Sequence, residues 1–359
     1  MTLSVSGDSI TFNDLSVQNT AATGFGFKNR IINGGMQIDQ RNAGASVANI
    51  AGNQYQLDRF QILTSVSSKF TTQQNAGGVT PPTGFSKYFG ITSSSAYAIG
   101  AGDYFILGQL IEGFNTADLA FGTANAKSVT LSFQVYSSLT GTFGGALQNS
   151  SSNRCYPFSY SIPTANTWTT IYITVAGDTT GTWVGATNGT GLQVWFGLGV
   201  GSTYSATAGA WGTSGFSATG AVSVVGTSGA TFYITGVQLE KGSVATSFDY
   251  RDYGRELIMC QRYFYVIPSA VQYSGATCFS TNRVLGSFSC ATTFRATPTV
   301  IGAANSIYYF TSGAANLSSA VSLQASLQGT VSVDITATAT TGNSGVISTN
   351  SPLTLTAEL

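Results

Sequence analysis

The 359-residue sequence contains no histidine and little charge, with 14 basic and 14 acidic side chains that make up 8% of the residues and cancel to zero. Without histidine, Ser-His-Asp and Cys-His catalytic sites, as well as His-rich metal sites, are excluded. No Lys/Arg-rich run is present, so the electrostatic footprint of a nucleic-acid-binding protein is missing. We therefore expect neither nucleic acid nor catalysis of these types.

Long hydrophobic runs are also missing. No apolar stretch approaches the length that spans a bilayer, and Met1 to Asp14 has no basic segment followed by an apolar core, as a signal peptide would. We expect a protein made in a cytosol and not inserted into a membrane. Its four cysteines form no CxxC motif and are expected to be free, buried thiols, although Cys278 and Cys290 could face each other across a hairpin.

What is abundant is typical of β-structure: 43% apolar residues and 43 glycines, against only seven prolines. Apolar and polar residues alternate with a period of two over 129–135, 170–175 and 192–200, which predicts half-buried strands. The continuous run Tyr104–Leu107 predicts a strand covered on both faces. The pattern as a whole predicts an all-β protein with a jelly-roll or β-sandwich domain.

The chain divides into three parts. Residues 1–26 form a short polar segment, residues 27–262 the jelly-roll domain, and residues 263–359 a second, smaller β-sandwich domain. A short helix over Asp252–Gln261, with Tyr253, Leu257 and Cys260 on one stripe, is predicted to end the first domain. In the second domain, strands are predicted at residues 306–311, 320–325, 330–337 and 352–357.

Half of the charge lies in two blocks. Their members are Lys28, Arg30, Asp39, Arg41, Asp58 and Arg59 in the first, and Glu240, Lys241, Asp249, Arg251, Asp252, Arg255, Glu256 and Arg262 in the second. Because charge is scarce elsewhere, we interpret the blocks as the start and end of one domain that meet when the chain folds.

The same blocks carry a resemblance. KNRIINGGMQIDQRN (28–42) with YQLDRFQI (55–62) resembles the opening of a domain common in bacteriophage tail-fibre proteins, and ITGVQLEKGSVATSFDYRDYGRELIMCQRYF (234–264) resembles its close. The resemblance implies a jelly roll similar to carbohydrate-binding modules. It also implies a virion appendage, usually a homotrimer, whose N-terminal segment attaches to other tail proteins.

The two blocks are predicted to form a structural ion cluster. In it, Asp39, Arg41, Asp58 and Arg59 pair with Glu240, Arg251, Asp252 and Arg255. Partly buried pairs of this kind fix how strands meet more than they add stability. The alternative is a set of solvated rim charges, each worth about 0–1 kcal/mol.

Catalytic chemistry is not expected. The acids scattered within the first domain, Asp103, Glu112, Asp118 and Asp178, are interpreted as turn or capping residues, although a paired-carboxylate glycosidase remains an alternative. No cofactor is expected. A structural calcium ion remains an alternative, because Asp and Asn residues in the loops offer oxygen ligands, but no D-x-D-x-D-G loop is present.

Aromatic residues in glycine-rich loops are the best candidates for a glycan surface, because sugars bind on flat aromatic faces beside amides and hydroxyls. The candidates are Trp183, Trp211 and Tyr204. Their alternative role is to close the end of the sandwich or a subunit contact. Two other tryptophans are expected to differ: Trp168 is interpreted as structural, and Trp195 as either exposed or covered by a neighbour.

The second domain offers further aromatic residues, with Tyr309 on one face of its strand, Tyr308 and Phe310 on the other, and Tyr273 nearby. The function predicted from all of this is a homo-oligomeric tail fibre that attaches to host surface glycan. A purely structural virion protein is the alternative, and a polysaccharide-degrading tail enzyme is a third hypothesis.

Overall fold

The computed structural model describes residues 28–48, 50–269, 272–301, 307–311, 314–327, 330–336 and 341–359, together with three short strands among the first 18 residues. The strands are β1 Ser4–Ser6, β2 Ser9–Thr11, β3 Val17–Gln18, β4 Gly52–Leu57, β5 Phe60–Thr64, β6 Phe70–Gln74, β7 Phe89–Ser93, β8 Tyr104–Glu112, β9 Val129–Ser137, β10 Gly141–Gln148, β11 Cys155–Ile162, β12 Thr169–Val175, β13 Thr190–Val200, β14 Ser205–Ala206, β15 Ser217–Ala218, β16 Thr231–Lys241, β17 Phe264–Ile267, β18 Gln272–Ser280, β19 Arg283–Ser289, β20 Thr299–Ile301, β21 Ile307–Thr311, β22 Ala314–Leu317, β23 Ala320–Leu327, β24 Thr330–Thr336, β25 Ser344–Thr349 and β26 Leu353–Thr356. One α-helix, α1 (Tyr253–Gln261), lies within the described ranges.

Two antiparallel sheets form the first sandwich. The six-stranded sheet has the order β11-β10-β13-β8-β5-β4, and the five-stranded sheet has the order β12-β9-β16-β7-β6. The chain passes repeatedly from one sheet to the other, and their facing side chains share one apolar core. This arrangement confirms the predicted jelly-roll fold.

Strand alternation accounts for that core. In β9, Val129, Leu131, Phe133 and Val135 all point inward and are fully or almost fully buried, as their period of two predicts. The run in β8 is covered on both faces as expected, and Phe105, Ile106 and Leu107 are buried.

Trp195 is buried on the outer face of the six-stranded sheet, and its indole Nε1 donates to the side-chain oxygens of Gln148 and Gln193 at 3.2 and 3.1 Å. Gly108 faces it in β8, where a Cβ would lie 2.4 Å from the Trp195 ring. Of the two roles left open for Trp195, the structure shows the covered one.

Helix α1 begins where predicted, with Asp252 as its N-cap accepting a hydrogen bond from the Arg255 backbone nitrogen at 2.9 Å. Cys260 is buried and Leu257 is half-buried, but Tyr253 is 59% exposed. The predicted stripe is wrong at Tyr253 because the helix packs on its small apolar cluster through its second half. No helix in the described ranges is long and apolar enough to cross a bilayer.

While β1–β3 and β14–β15 form two small sheets of their own, the ten strands that follow α1 form a sheet in the order β17-β26-β20 and a seven-stranded sheet in the order β22-β21-β25-β18-β19-β24-β23. Their apolar cluster is separate from that of the first sandwich, and the four predicted strands are present. Tyr309 is buried within it, whereas the side chains of Tyr308, Phe310 and Tyr273 lie outside the described residues. The boundaries proposed at residues 26 and 262 stay predictions. All four cysteines are free as predicted, but only Cys155, Cys260 and Cys278 are buried, and Cys290 is half-buried.

The two charged segments do meet, but among the described residues they do so through hydrogen bonds to the backbone of their partners and not through ion pairs between the blocks. The Arg30 nitrogen donates to the Leu239 carbonyl at 2.9 Å, and the Leu239 nitrogen donates to Asn29 Oδ1 at 3.1 Å. The Arg251 guanidinium binds the carbonyls of Asn29 and Ile31. The segment at residues 29–31 is thereby fixed along β16.

The predicted ion pairs between the blocks are wrong. Arg41 and Arg59 both pair with Glu358, Arg41 at 2.6 Å. The Arg59 guanidinium lies 3.6 Å from the centre of the Tyr263 ring, and that of Arg41 lies 3.7 Å from the Phe264 ring. The ionic centre therefore joins the start of the jelly roll to the end of the second β-region.

Other members of the predicted cluster are used locally. Asp39 accepts hydrogen bonds from the backbone of Asn42 and Gly44. Asp58 accepts them from Gln40, and Glu240 accepts them from Gln238 and Thr246. Arg251 forms ion pairs with Glu256 and Asp249, and Arg255 is exposed. Nearby backbone and amide donors satisfy these carboxylates, which leaves Glu358 as the counter-charge for the two arginines.

Removing Glu358 should strongly destabilise the protein, since the Arg59 side chain is 1% exposed and would lose its counter-charge. For Glu358→Ala we expect the free energy of unfolding to fall by about 3–5 kcal/mol, the typical effect of breaking a buried pair. Lys241→Ala is the matched control, because its pair with Asp118 is about half exposed and should contribute about 0–1 kcal/mol. Denaturant unfolding measures both, and equal losses would contradict the assignment.

Asp58 should make the folded protein more stable as the pH falls, whereas a carboxylate with a lowered pKa makes it less stable. Burial raises the pKa of Asp58 from 3.8 to about 6, so the folded state binds this proton more tightly than the unfolded chain. The free energy of unfolding should rise as the pH falls from 8 to 5, by at most about 1.4 kcal/mol. Hydrogen bonds from Arg30 and Arg154 lower the pKa values of Asp118 and Asp178. The stability that these two carboxylates contribute to the fold is lost only at pH values below this window.

Equilibrium unfolding at a series of pH values between 8 and 5 tests this. Asp58→Asn should flatten the profile over that range. A wild-type stability that falls steadily as the solution is acidified to pH 5 would show that Asp58 is not the controlling group.

Candidate functional site: an aromatic groove on the five-stranded sheet

Trp183 and Trp211, both predicted for a glycan surface, are brought together. Their ring centroids are 5.4 Å apart at 88°, and Phe121 lies 4.8 Å from Trp183 and 5.8 Å from Trp211. Tyr204 is not part of this group, because it packs against Tyr104 and Phe216. The three residues therefore do not form one surface.

The polar edges of both indoles are already satisfied. Trp183 Nε1 donates to Asp178 Oδ2 at 3.2 Å, and Trp211 Nε1 donates to the Ala176 carbonyl at 2.7 Å. Both rings are half-buried against the main core, and the cavity beside Trp183 is only about 50 Å³. This geometry favours their alternative role, closing the end of the sandwich, and binding of glycan by them stays a prediction.

Trp168 is held on the outer face of the five-stranded sheet. Its indole lies 5.5 Å from each of the Tyr88 and Tyr136 rings and donates to the Thr80 carbonyl at 2.9 Å. Tyr136 in turn stacks on Tyr233 at 5.4 Å with the planes only 5° apart. This aromatic layer agrees with the structural role expected for Trp168.

Beside this layer, the same face carries a groove of about 180 Å³. It is lined by Thr83, Phe85, Ser132, Phe133, Gln134, Thr170, Tyr172, Gly236, Thr246, Ser247, Phe248 and Tyr250. We refer to it as the aromatic groove. It is larger than the cavity beside Trp183 and is bordered by exposed aromatic side chains.

Strand alternation also builds the floor of the aromatic groove. In β9 and β12 the apolar residues face the core, so Ser132, Gln134, Thr170 and Tyr172 face outward. The antiparallel register pairs Tyr172 with Ser132 and Thr170 with Gln134. The floor is thus a small patch of hydroxyls and one amide, with Tyr172 standing at its edge, 62% exposed.

A bulge in β16 shapes the opposite side. The register of β16 against β9 shifts between Thr235 and Gln238, and Gly236 within the shift has a φ of +62°. A Cβ at Gly236 would lie 2.6 Å from the Phe85 ring. Glycine at this position both permits the left-handed backbone and lets Phe85 lie directly on the sheet.

Phe85 is one of three aromatic rings that form the wall. Its centroid is 5.0 Å from that of Phe248 and 5.6 Å from that of Tyr250, and the latter two rings are 4.9 Å apart. Two of these contacts are edge-to-face and that of Phe85 with Tyr250 is tilted, and together they hold the rings in fixed orientations. Tyr250 nevertheless remains 57% exposed, so the wall is rigid and still accessible.

Four of the polar side chains that line the groove have free hydrogen-bonding capacity. In the described part of the chain, no hydrogen bond is formed by the side-chain amide of Gln134 or by the side-chain hydroxyls of Thr170, Tyr172 and Tyr250. The indole nitrogens of Trp183 and Trp211, in contrast, already donate hydrogen bonds within the protein. Free amides and hydroxyls between accessible aromatic faces are suited to a ligand that is itself rich in hydroxyls.

The acids considered for catalysis lie elsewhere and mostly form ion pairs. Asp118 pairs with Arg30 and Lys241, Asp178 with Arg154, and Glu112 with Arg262. Asp103, which accepts from the Gly100 nitrogen at 2.7 Å, and Asp178, which also accepts from the Thr180 nitrogen at 3.1 Å, are turn residues of the kind predicted. The hydrogen bonds from Arg30 lower the pKa of Asp118 to about 2, opposite to the shift that a general acid needs.

A metal site is not assembled in the described residues, where no three Cys, Asp or Glu side chains come together in a way that could hold an ion. The absence of a cofactor, including structural calcium, stays a prediction.

Comparison with known proteins gives only distant similarity. No protein-family model and no curated protein matches the chain. Among solved structures, the enzymatically active domain of bacteriophage CBA120 tailspike protein 4 is 12% identical with a TM-score of 0.33, over 60% of this chain and 21% of the tailspike chain. The family 11 carbohydrate-binding module from Clostridium thermocellum, in complex with a mixed-linked tetrasaccharide, is 10% identical with a TM-score of 0.28, over 55% of this chain and 99% of the module.

A third solved structure, TmCBM61 in complex with β-1,4-galactotriose, is 8% identical with a TM-score of 0.27, over 51% of this chain and 88% of that protein. Similarities at this level do not establish a common fold. The jelly-roll assignment rests on the strand order of this chain itself.

If Trp211 closes the end of the sandwich, its removal should affect stability. For Trp211→Ala we expect the free energy of unfolding to fall by about 3 kcal/mol, the lower end of the range for a large core aromatic. Tyr172→Ala is the control, because this exposed side chain should change stability by about 0.5 kcal/mol or less. A Trp211→Ala variant as stable as the wild type would show that the ring is not a structural plug.

Proposed function

We propose that this chain is a bacteriophage virion appendage of the tail-fibre type, and that it attaches to host surface glycan through the aromatic groove. The observation that carries the glycan proposal is the combination of accessible Tyr172 and Tyr250 rings with unpaired polar groups between them. Sugar rings present apolar faces and hydroxyl edges, and this groove offers a partner for each.

The size of the groove is consistent with a surface site that holds only part of a larger glycan. At about 180 Å³ it is smaller than the ~300–1,000 Å³ of pockets that enclose a drug-sized molecule. A ligand would therefore extend beyond it, as a glycan chain does when only a few of its units are held. Such sites bind weakly one at a time and gain strength when several copies engage the same surface.

The assignment to a virion rests on the resemblance of residues 28–62 and 234–264 to tail-fibre domains. Under this proposal the protein is made in the host cytoplasm and incorporated in the tail as a homotrimer, and residues 1–26 attach it to other tail proteins. It binds without catalysis and without a cofactor.

A purely structural virion protein is the second candidate, since exposed rings such as Tyr172 and Tyr250 can also pack against a neighbouring subunit. Glycan binding is favoured because Gln134 and Thr170 lie between the rings with unused hydrogen-bonding groups. A dry subunit contact would leave those groups unsatisfied on burial.

Replacing either accessible tyrosine of the groove should abolish most glycan binding without unfolding the protein. We expect Tyr172→Ala and Tyr250→Ala each to weaken binding about tenfold, or 1.4 kcal/mol, on a glycan microarray and on host cells. Tyr253→Ala is the matched control, because this tyrosine is equally exposed, at 59%, and lies outside the groove.

The oligomeric state of each variant, measured by sedimentation, separates the two candidates. Lost binding with an unchanged oligomer supports the glycan site. An oligomer that dissociates in the Tyr172 and Tyr250 variants, with no glycan bound by the wild type, would show that the groove is a subunit contact.

A further inference from the structure

We propose that the aromatic groove selects uncharged glycans, and that acidic polysaccharides are discriminated against. This inference rests on the proposed function and narrows it to a chemical class. It depends on how the charges around the groove are used.

Every residue that lines the aromatic groove is uncharged. An anionic sugar that entered would lose water around its carboxylate and find only hydroxyls, amides and rings. Burying a charge without a counter-charge is far costlier than burying a hydroxyl that keeps a hydrogen bond. A neutral sugar can instead exchange its water contacts for those of Gln134 and Thr170.

The charges that lie next to the groove are consumed within the protein. Thr246, which lines the groove, donates both its backbone nitrogen and its hydroxyl to the buried Glu240 carboxylate, at 2.9 and 2.7 Å. Lys28 donates to the carbonyl of Ser247, the next lining residue. One negative and one positive charge thus contact the same backbone segment, so the two offset each other there.

Arg251 follows Tyr250 directly and is the cation best placed in sequence to reach a ligand. Its side chain is only 6% exposed and is held by Glu256 and by the carbonyls of Asn29 and Ile31. The guanidinium is therefore committed to fixing the start of the domain. Lys87, two residues after the wall residue Phe85, is not among the lining residues either.

Two measurable properties follow. Affinity should be nearly independent of ionic strength, because no ion pair is formed with the ligand. An introduced cation in the floor should change the class of ligand. Gln134 is the position for that change, since it lies between the two aromatic sides.

The experiment uses the full chain and matched pairs of oligosaccharides. Hexasaccharides of glucose, galactose, mannose and N-acetylglucosamine are each prepared in neutral form and with their C6 hydroxyls oxidised to carboxylates. Titration calorimetry at 50 and 500 mM salt should give binding of at least one neutral member. Its oxidised counterpart should bind at least tenfold more weakly, and the neutral affinity should change less than twofold with salt.

Two variants at Gln134 distinguish the effect of a charge in the groove from the effect of side-chain shape. Gln134→Lys should increase affinity for the oxidised counterpart at least tenfold, with strong salt dependence, whereas Gln134→Leu should weaken the neutral ligand without gaining the acidic one. Equal or tighter binding of oxidised oligosaccharides by the wild type overturns the neutral selectivity but leaves glycan binding intact. If no neutral or oxidised member binds, both the selectivity and the proposed function fail.

Discussion

The buried guanidinium of Arg59 is the constraint that organises this molecule. It is enclosed by the Glu358 carboxylate, the Tyr263 ring and the Leu110 carbonyl. Burial alone would lower the pKa of Arg59, but the Glu358 carboxylate raises it, so the side chain remains charged. Parts of the chain that are remote in sequence must therefore meet at one point before this charge is compensated.

The aromatic groove depends on a second meeting of remote segments, at the C-terminal end of β16. Residues 29–31 bind along Leu239 and are held by Arg251, and the segment that follows β16 then returns over the sheet to place Phe248 and Tyr250 beside Phe85. The charged residues thus position the aromatic groove and do not line it. This division of roles explains how a chain with 8% charge can combine an uncharged groove with a firmly fixed scaffold.

The sequence alone predicted the strands whose apolar residues alternate, the jelly roll, and the meeting of the two charged blocks. It did not predict which charges pair, because Glu358 stands outside both blocks and nothing local marks it. The groove was also missed. From the sequence, Tyr172 is only one of the residues on the polar face of β12. It borders a groove because β16 bulges at Gly236 and because the segment after β16 folds back and places Tyr250 nearby. Trp183 and Trp211 were correctly placed together, but their satisfied indole nitrogens are a tertiary property.

The 299-residue separation between Arg59 and Glu358 also bears on how the protein is synthesised. At about 5–20 residues per second, a ribosome takes roughly 15–60 s to cover that distance. Throughout this interval the nascent jelly roll carries a cation without its partner and edge strands with little protecting charge. Compensation of the buried Arg59 charge therefore cannot precede the emergence of Glu358 from the ribosome.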